Sequence, residues 1–133
     1  METQPDFREL LALFSAHRVE CLIVGGYALA FHGAPRFTGD LDILVKPDAA
    51  NAQRIVTALE TFGFTSVGLT PNDFEHADQV IQLGMPPVRI DLITSITGVS
   101  WDEAWAGRTA GRYGDIPVYY IGRAQFIANK RAT

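Results

Sequence analysis

The feature that most restricts the fold of this chain is a short apolar strand that begins with two acidic residues. Residues 41 to 46 read Leu-Asp-Ile-Leu-Val-Lys, and Asp40 and Asp42 lie two positions apart at their start. Because side chains two positions apart on a strand leave the same face, both carboxylates share one face. The alternating side chains on the other face are apolar: Leu41, Ile43 and Val45. The strand therefore requires a core on one side and carries charge on the other.

Helix and strand patterns alternate along the rest of the chain. Apolar residues recur at helical spacing over residues 5 to 17, and Asp48 is placed to cap a second helix that ends at Gly63. Shorter patterns complete the prediction: strands at 20 to 24, 79 to 84, 88 to 94 and 116 to 121, and helices at 27 to 31, from Ser100 through Trp105, and from Ala124 to Thr133. This order predicts an α/β (α+β) fold, in which a mixed β-sheet is flanked by helices.

Composition limits the class of protein. The 133 residues are 47 % hydrophobic, so we expect a single globular domain over 1–133. A formal net charge of -4 argues against general electrostatic capture of nucleic acid, although a local basic groove is compatible with it. One cysteine, Cys21, excludes an intrachain disulfide and a cysteine-rich zinc site. The N-terminus lacks a signal-peptide pattern and no apolar run approaches the roughly 18 residues of a membrane span, so we expect a cytoplasmic protein without membrane contact.

The two aspartates of the acidic strand predict a metal site. Their carboxylates lie about 6 to 7 Å apart along the strand, and like charges held together raise each other's pKa unless a cation lies between them. Hard oxygen ligands favour Mg²⁺ or Mn²⁺ over zinc.

Asp91 offers a third carboxylate. Apolar residues alternate through the strand at 88 to 94, which places Asp91 and Arg89 together on its polar face. If this strand pairs beside residues 41 to 46, Asp91 converges with Asp40 and Asp42. Three carboxylates can hold two ions roughly 3.5 to 4 Å apart, the separation used for in-line phosphoryl displacement. We expect Asp91 to help deprotonate an attacking hydroxyl.

A pair of glycines supplies a complementary element. Gly25 and Gly26 follow a buried strand and precede a helix. Residues without Cβ at such a turn let phosphate oxygens approach the backbone N–H groups. Arg36 and Thr38 lie between this turn and the aspartates, where they can add a positive charge and a hydroxyl donor to a triphosphate site.

The combination of these residues resembles a known family. The run Ile23-Val24-Gly25-Gly26, followed by Arg36, Thr38 and Asp40-Leu41-Asp42, is similar to the nucleotidyltransferase superfamily of polymerase-β type. Within it, the sequence looks most like the AbiEii-like type IV toxin nucleotidyltransferases. The resemblance also takes in Asp91 and the closing residues 127 to 133.

This resemblance implies a nucleotidyltransferase fold, Mg²⁺ dependence, and transfer of a nucleoside monophosphate from an NTP to a hydroxyl. It implies phosphate contacts for Gly25 and Gly26, metal binding for Asp40 and Asp42, and metal binding with general-base action for Asp91. Lys130 resembles a C-terminal lysine near the nucleotide.

Several functional hypotheses stay open. Relatives commonly continue past the Lys-Arg-Ala-Thr segment into a further helix, whereas this sequence stops at Thr133, so we expect a truncated or minimal form. The chain is accordingly either an enzyme or a non-catalytic module that binds a nucleotide or a partner protein. The acceptor of an enzyme would be RNA, a protein or a small molecule, and an antitoxin partner follows by analogy only. An RNA acceptor would need the basic residues of the last quarter: Arg108, Arg112, Arg123, Lys130 and Arg131.

Overall fold

The structure, a computed structural model, describes residues 4–33, 39–63, 68–85 and 88–133. The helices are α1 (Pro5–Ala16), α2 (Gly25–Phe31), α3 (Ala49–Phe62), α4 (Trp101–Ala106) and α5 (Arg123–Ala132), with a 3₁₀ turn at Pro71–Phe74. The strands are β1 (Cys21–Val24), β2 (Asp40–Val45), β3 (Val80–Met85), β4 (Val88–Ile93), β5 (Thr109–Tyr113) and β6 (Ile116–Tyr120). Within these described ranges, no helix is long and apolar enough to cross a membrane.

The six strands form one mixed sheet in the order β3-β4-β2-β1-β6-β5. Strand β2 lies inside this sheet, antiparallel to β1 and parallel to β4. Strands β3 and β4 pair antiparallel, and β1 and β6 pair in parallel. The prediction of a mixed sheet with helices is confirmed, and the acidic strand β2 occupies an interior position.

Burial along β2 follows the predicted alternation over its first half. Leu41, Ile43 and Val45 are fully buried in the core. Leu44 lies on the same face as the two aspartates, yet it is also buried, with 2 % of its surface exposed. The polar part of this face is therefore restricted to the end of β2 that holds Asp40 and Asp42.

Helix α3 is held at both ends by the residues that the sequence predicts. The side chain of Asp48 accepts a hydrogen bond of 2.7 Å from the backbone N–H of Asn51, which satisfies one of the free donors of the first turn. Gly63 ends the helix in the left-handed conformation, with φ of 113°. The buried Asn51 side chain also bonds the backbone of Glu20 and Lys46, and so ties α3 to the start of β1 and the end of β2.

Strand β5 is not predicted by the sequence. Its residues, Thr-Ala-Gly-Arg-Tyr, show no apolar alternation, and only Tyr113 is buried. Pairing with β6, from Thr109 opposite Tyr120 to Tyr113 opposite Ile116, creates the strand. Pro117 lies near the start of β6, as expected of a residue without an N–H donor.

Candidate active site

The register between β2 and β4 brings the predicted acidic residues together. The strands are parallel, and Asp42 lies directly opposite Asp91 while Asp40 lies opposite Arg89. Because paired residues of neighbouring strands project from the same face, these four side chains share one face of the sheet. The predicted convergence of the three carboxylates depends on the pairing of β2 with β4, and this pairing is present. Asp40, Asp42 and Asp91 are called the carboxylate cluster below.

Asp42 and Asp91 are in contact within the carboxylate cluster, where Asp91 is buried and Asp42 is partly buried. Asp91 is 8 % exposed. The pKa of Asp42 is raised to about 6, first because burial disfavours its charged form, and then by the charge of Asp91, a hydrogen bond with Asp91 and the charge of Asp40. Arg89 opposes this rise. A cation beside Asp42 would favour the charged form of this carboxyl group, so the contact between Asp42 and Asp91 forms a site that a cation would stabilise.

Arg89 contacts two members of the carboxylate cluster, Asp40 and Asp91. Its Nη2 donates to Oδ2 of Asp40 at 2.9 Å, and its Nε lies 3.4 Å from Oδ1 of Asp91. Both Nε of Arg89 and Oδ1 of Asp91 are buried and have no hydrogen-bond partner among the described residues. The sequence places Arg89 on the same face as Asp91, but its position opposite Asp40 depends on strand register, which local sequence does not reveal.

The predicted convergence of three carboxylates is present on one face but is modified by this arginine. Over the described parts of the chain, no group of three or more His, Cys, Asp and Glu side chains stands in an arrangement that could hold a metal ion. Asp40 pairs with Arg89, whereas Asp42 and Asp91 adjoin. The ligand set nevertheless fits Mg²⁺ or Mn²⁺, because it consists of carboxylate oxygens and includes a buried Asp91 oxygen to which no described residue donates a hydrogen bond.

Gly25 touches the carboxylate cluster directly. Val24, the last residue of β1, lies opposite Asp42, and Gly25 follows with φ of 68°. A Cβ at this position would collide with Oδ2 of Asp42 and lie 3.1 Å from its Cγ. Only glycine suits both the left-handed backbone and the space beside the carboxylate. Gly26 continues into α2 and is partly exposed. The glycine turn and the acidic strand β2, which are separate motifs in the sequence, are thus in contact.

Tyr27 is a neighbour of the cluster that the sequence analysis missed. Burial raises the pKa of its hydroxyl to about 12, with further contributions from Tyr113 and from the negative charge of Asp40. Its ring packs edge-on against Phe7 and Tyr113. The only available signal in the sequence is its position immediately after the glycine pair. Tyr27 therefore presents a protonated hydroxyl near Asp40 at neutral pH.

The structure does not test the predicted nucleotide contacts outside the glycine pair. Arg36 and Thr38 lie outside the described residues. Lys130 is exposed on α5, with its ammonium 5.7 Å from the ring centre of Phe126. Among residues that the structure describes, no hydrogen bond or ion pair joins Lys130 to the carboxylate cluster. Its nucleotide contact stays a prediction.

The basic residues of the last quarter are not equivalent. The Arg108 guanidinium lies 3.9 Å from the ring centre of Trp105 and 4.7 Å from that of Tyr119. Arg108 is thereby engaged with aromatic rings. The other four, Arg112, Arg123, Lys130 and Arg131, are exposed.

Comparison with known proteins bears on the fold. No protein-family model matches the sequence, and no curated protein matches it significantly. The structure is similar to a crystal structure from Thermotoga maritima that is described as a "putative nucleotidyltransferase (TM1012)". The TM-score is 0.63 and the identity is 13 %, over 95 % of this chain and 83 % of that chain. This chain has a nucleotidyltransferase fold. The predicted fold is confirmed, while the finer resemblance to AbiEii-like toxins stays a prediction.

Proposed function

We propose that this protein is a nucleotidyltransferase that transfers a nucleoside monophosphate from an NTP to a hydroxyl acceptor and depends on Mg²⁺ or Mn²⁺. One observation carries the proposal. The strand register puts Asp42 beside the buried Asp91, and Gly25 lies directly on Asp42. Acidic groups and a glycine turn meet at one point of the sheet, as the reaction requires. The nucleotidyltransferase fold supports the proposal.

Each residue of the site has a proposed role. Asp40, Asp42 and Asp91 would hold the divalent ions, which supply charge neutralisation of the triphosphate and activation of the acceptor hydroxyl. Asp91, which is buried and whose Oδ1 has no hydrogen-bond donor in the described part of the chain, would accept the proton of that hydroxyl. The hydroxyl oxygen would attack the α-phosphorus, and the bond from that phosphorus to the bridging oxygen would break and release pyrophosphate. Gly25 and Gly26 would admit the phosphates, and Arg36, Thr38 and Lys130 would contact them.

A second candidate function is a non-catalytic module that binds a nucleotide or a partner protein. The favouring observation is Arg89, whose guanidinium already pairs with Asp40 and lies against Asp91. A side-chain cation in this position would stabilise the carboxylate cluster without a metal ion, so the cluster could be retained in a protein that catalyses no reaction. We propose RNA, a protein or a small molecule as acceptor, and an antitoxin as partner, without preference among them.

Transfer of α-labelled nucleotides to cellular RNA, protein and small-molecule fractions tests the proposal. We expect Mg²⁺-dependent transfer by the wild type, and loss of the greater part of it in Asp42→Asn and Asp91→Asn. Asp102→Asn is the matched control, because it removes the same charge from an exposed position on α4. NTP binding without transfer to any fraction would favour the binding module. Equal transfer by all four proteins would contradict the assigned site.

A further inference from the structure

We propose that Arg89 is a built-in counterion of the carboxylate cluster, which holds Asp40 and Asp91 in place and competes with a divalent cation for them. This inference rests on the proposed function, because it takes Asp40, Asp42 and Asp91 as metal ligands. Arg89 would be a positioning residue, since it acts on the carboxylates and not on the substrate.

The position of Arg89 is fixed by two strands. Arg89 and Asp40 are register partners on the neighbouring strands β4 and β2, and Asp91 lies two residues further along β4. The guanidinium consequently meets the carboxylate of Asp40 across the strands at 2.9 Å and that of Asp91 along its own strand at 3.4 Å. One guanidinium thus pairs with two acidic groups, and Asp42 lies opposite one of them, Asp91.

The geometry differs from that of a structural ion pair in the same molecule. Arg8 directs Nε and Nη2 to the two oxygens of Asp115, each at 2.7 Å, which is the paired-fork arrangement of a strong arginine–carboxylate contact. Arg89 divides its guanidinium between two carboxylates instead, and its buried Nε has no hydrogen-bond partner among the described residues. A buried donor without a partner costs stability. Arg89 is therefore arranged to balance charge across the cluster rather than to form one optimal pair.

Competition with a metal ion follows from charge. A divalent ion beside Asp40 and Asp91 would meet the positive guanidinium at close range. At a separation of about 6 Å, a single positive charge weakens the binding of a doubly charged ion about tenfold, even at the dielectric constant of water. Removal of the Arg89 charge should therefore tighten metal binding. It should also destabilise the metal-free protein, because three carboxylates would then repel each other without a counterion.

Mn²⁺ titration and thermal unfolding of the full chain test this inference. For Arg89→Met we expect an Mn²⁺ dissociation constant about tenfold lower than that of the wild type. We also expect a lower melting temperature without metal, and a larger rise on adding Mn²⁺. Arg89→Lys retains the charge and should stay close to the wild type in Mn²⁺ affinity. Arg8→Met, which removes an exposed arginine from its ion pair with Asp115, should leave Mn²⁺ affinity unchanged. If Arg89→Met does not fold, Arg89→Gln takes its place with the same expectations.

The outcomes separate this inference from the proposed function. Suppose the wild type binds Mn²⁺, Asp42→Asn loses that binding, and Arg89→Met binds no more tightly than the wild type. The inference then fails and the metal site stands. If the wild type binds no Mn²⁺, the metal-dependent function fails, and competition by Arg89 fails with it. A metal-free melting temperature of Arg89→Met equal to that of the wild type would overturn the counterion role in either case.

Discussion

Replacement of Gly25 by alanine tests the contact between the glycine turn and the carboxylate cluster. The new Cβ would require a left-handed backbone at φ of 68° and would collide with Asp42. The backbone conformation alone costs about 1 to 2 kcal/mol for a residue with a Cβ, and an overpacked contact adds about 1 to 3 kcal/mol. We therefore expect Gly25→Ala to lower the free energy of unfolding by about 2 to 5 kcal/mol and to displace the Asp42 carboxylate.

Gly68→Ala is the matched control for this substitution. Gly68 has a similar φ of 72°, but no atom of the described residues lies within 4 Å of a Cβ built there. It should lose only the conformational part, about 1 to 2 kcal/mol. Urea unfolding gives the stability of each variant, and Mn²⁺ titration reports on the position of Asp42. Gly25→Ala should lose Mn²⁺ affinity and Gly68→Ala should keep it. Equal stability losses and equal Mn²⁺ affinities in the two variants would refute the proposed contact.

Two further predictions concern stability. The pKa of Asp42 is raised to about 6 from its ordinary value of 3.8, so the folded state binds its proton more tightly than the unfolded state. In the metal-free protein, the stabilisation from this protonated carboxyl is full below the unfolded value and is lost as the pH rises through about 6. The unfolding free energy of the wild type should therefore fall over this window relative to that of Asp42→Asn. Urea unfolding at a series of pH values measures it, and the absence of such a fall would count against the contact between Asp42 and Asp91. Asn51→Ala should lower the unfolding free energy by about 2 to 4 kcal/mol, because it removes three hydrogen bonds of a buried side chain, from the N–H of Glu20 and to the carbonyls of Glu20 and Lys46. The control Asn129→Ala removes a single bond to Thr97 and should cost much less, and a loss as large as that of Asn51→Ala would contradict the role given to Asn51.

The sequence is most informative where structure is decided locally. Alternation in β2 predicts which side chains enter the core, and Asp48 and Gly63 mark the ends of α3, because caps and faces depend on neighbours in the chain. The burial of Leu44 on the carboxylate face could not be predicted, since it depends on segments distant in sequence. Strand β5 was missed for a related reason: pairing with β6 creates it, and its own residues lack a strand pattern.

Register explains the rest of the candidate site. The sequence places Asp91 and Arg89 on one face of their strand, but nothing local states that Asp42 lies opposite Asp91 or Arg89 opposite Asp40. The contact of Gly25 with Asp42 likewise depends on the antiparallel pairing of β1 with β2. The sequence therefore predicts which residues belong to the candidate site, but it does not predict which side chains contact each other there.

The most direct test of the central claim is a crystal structure with Mn²⁺ and a non-hydrolysable NTP, in which anomalous scattering locates the metal. We predict Mn²⁺ bound by the carboxylates of Asp42 and Asp91, with the triphosphate beside Gly25 and Gly26 and the guanidinium of Arg89 withdrawn from at least one carboxylate. Metal and nucleotide bound elsewhere, with the Asp40–Arg89 pair intact and no density between Asp42 and Asp91, would contradict the account.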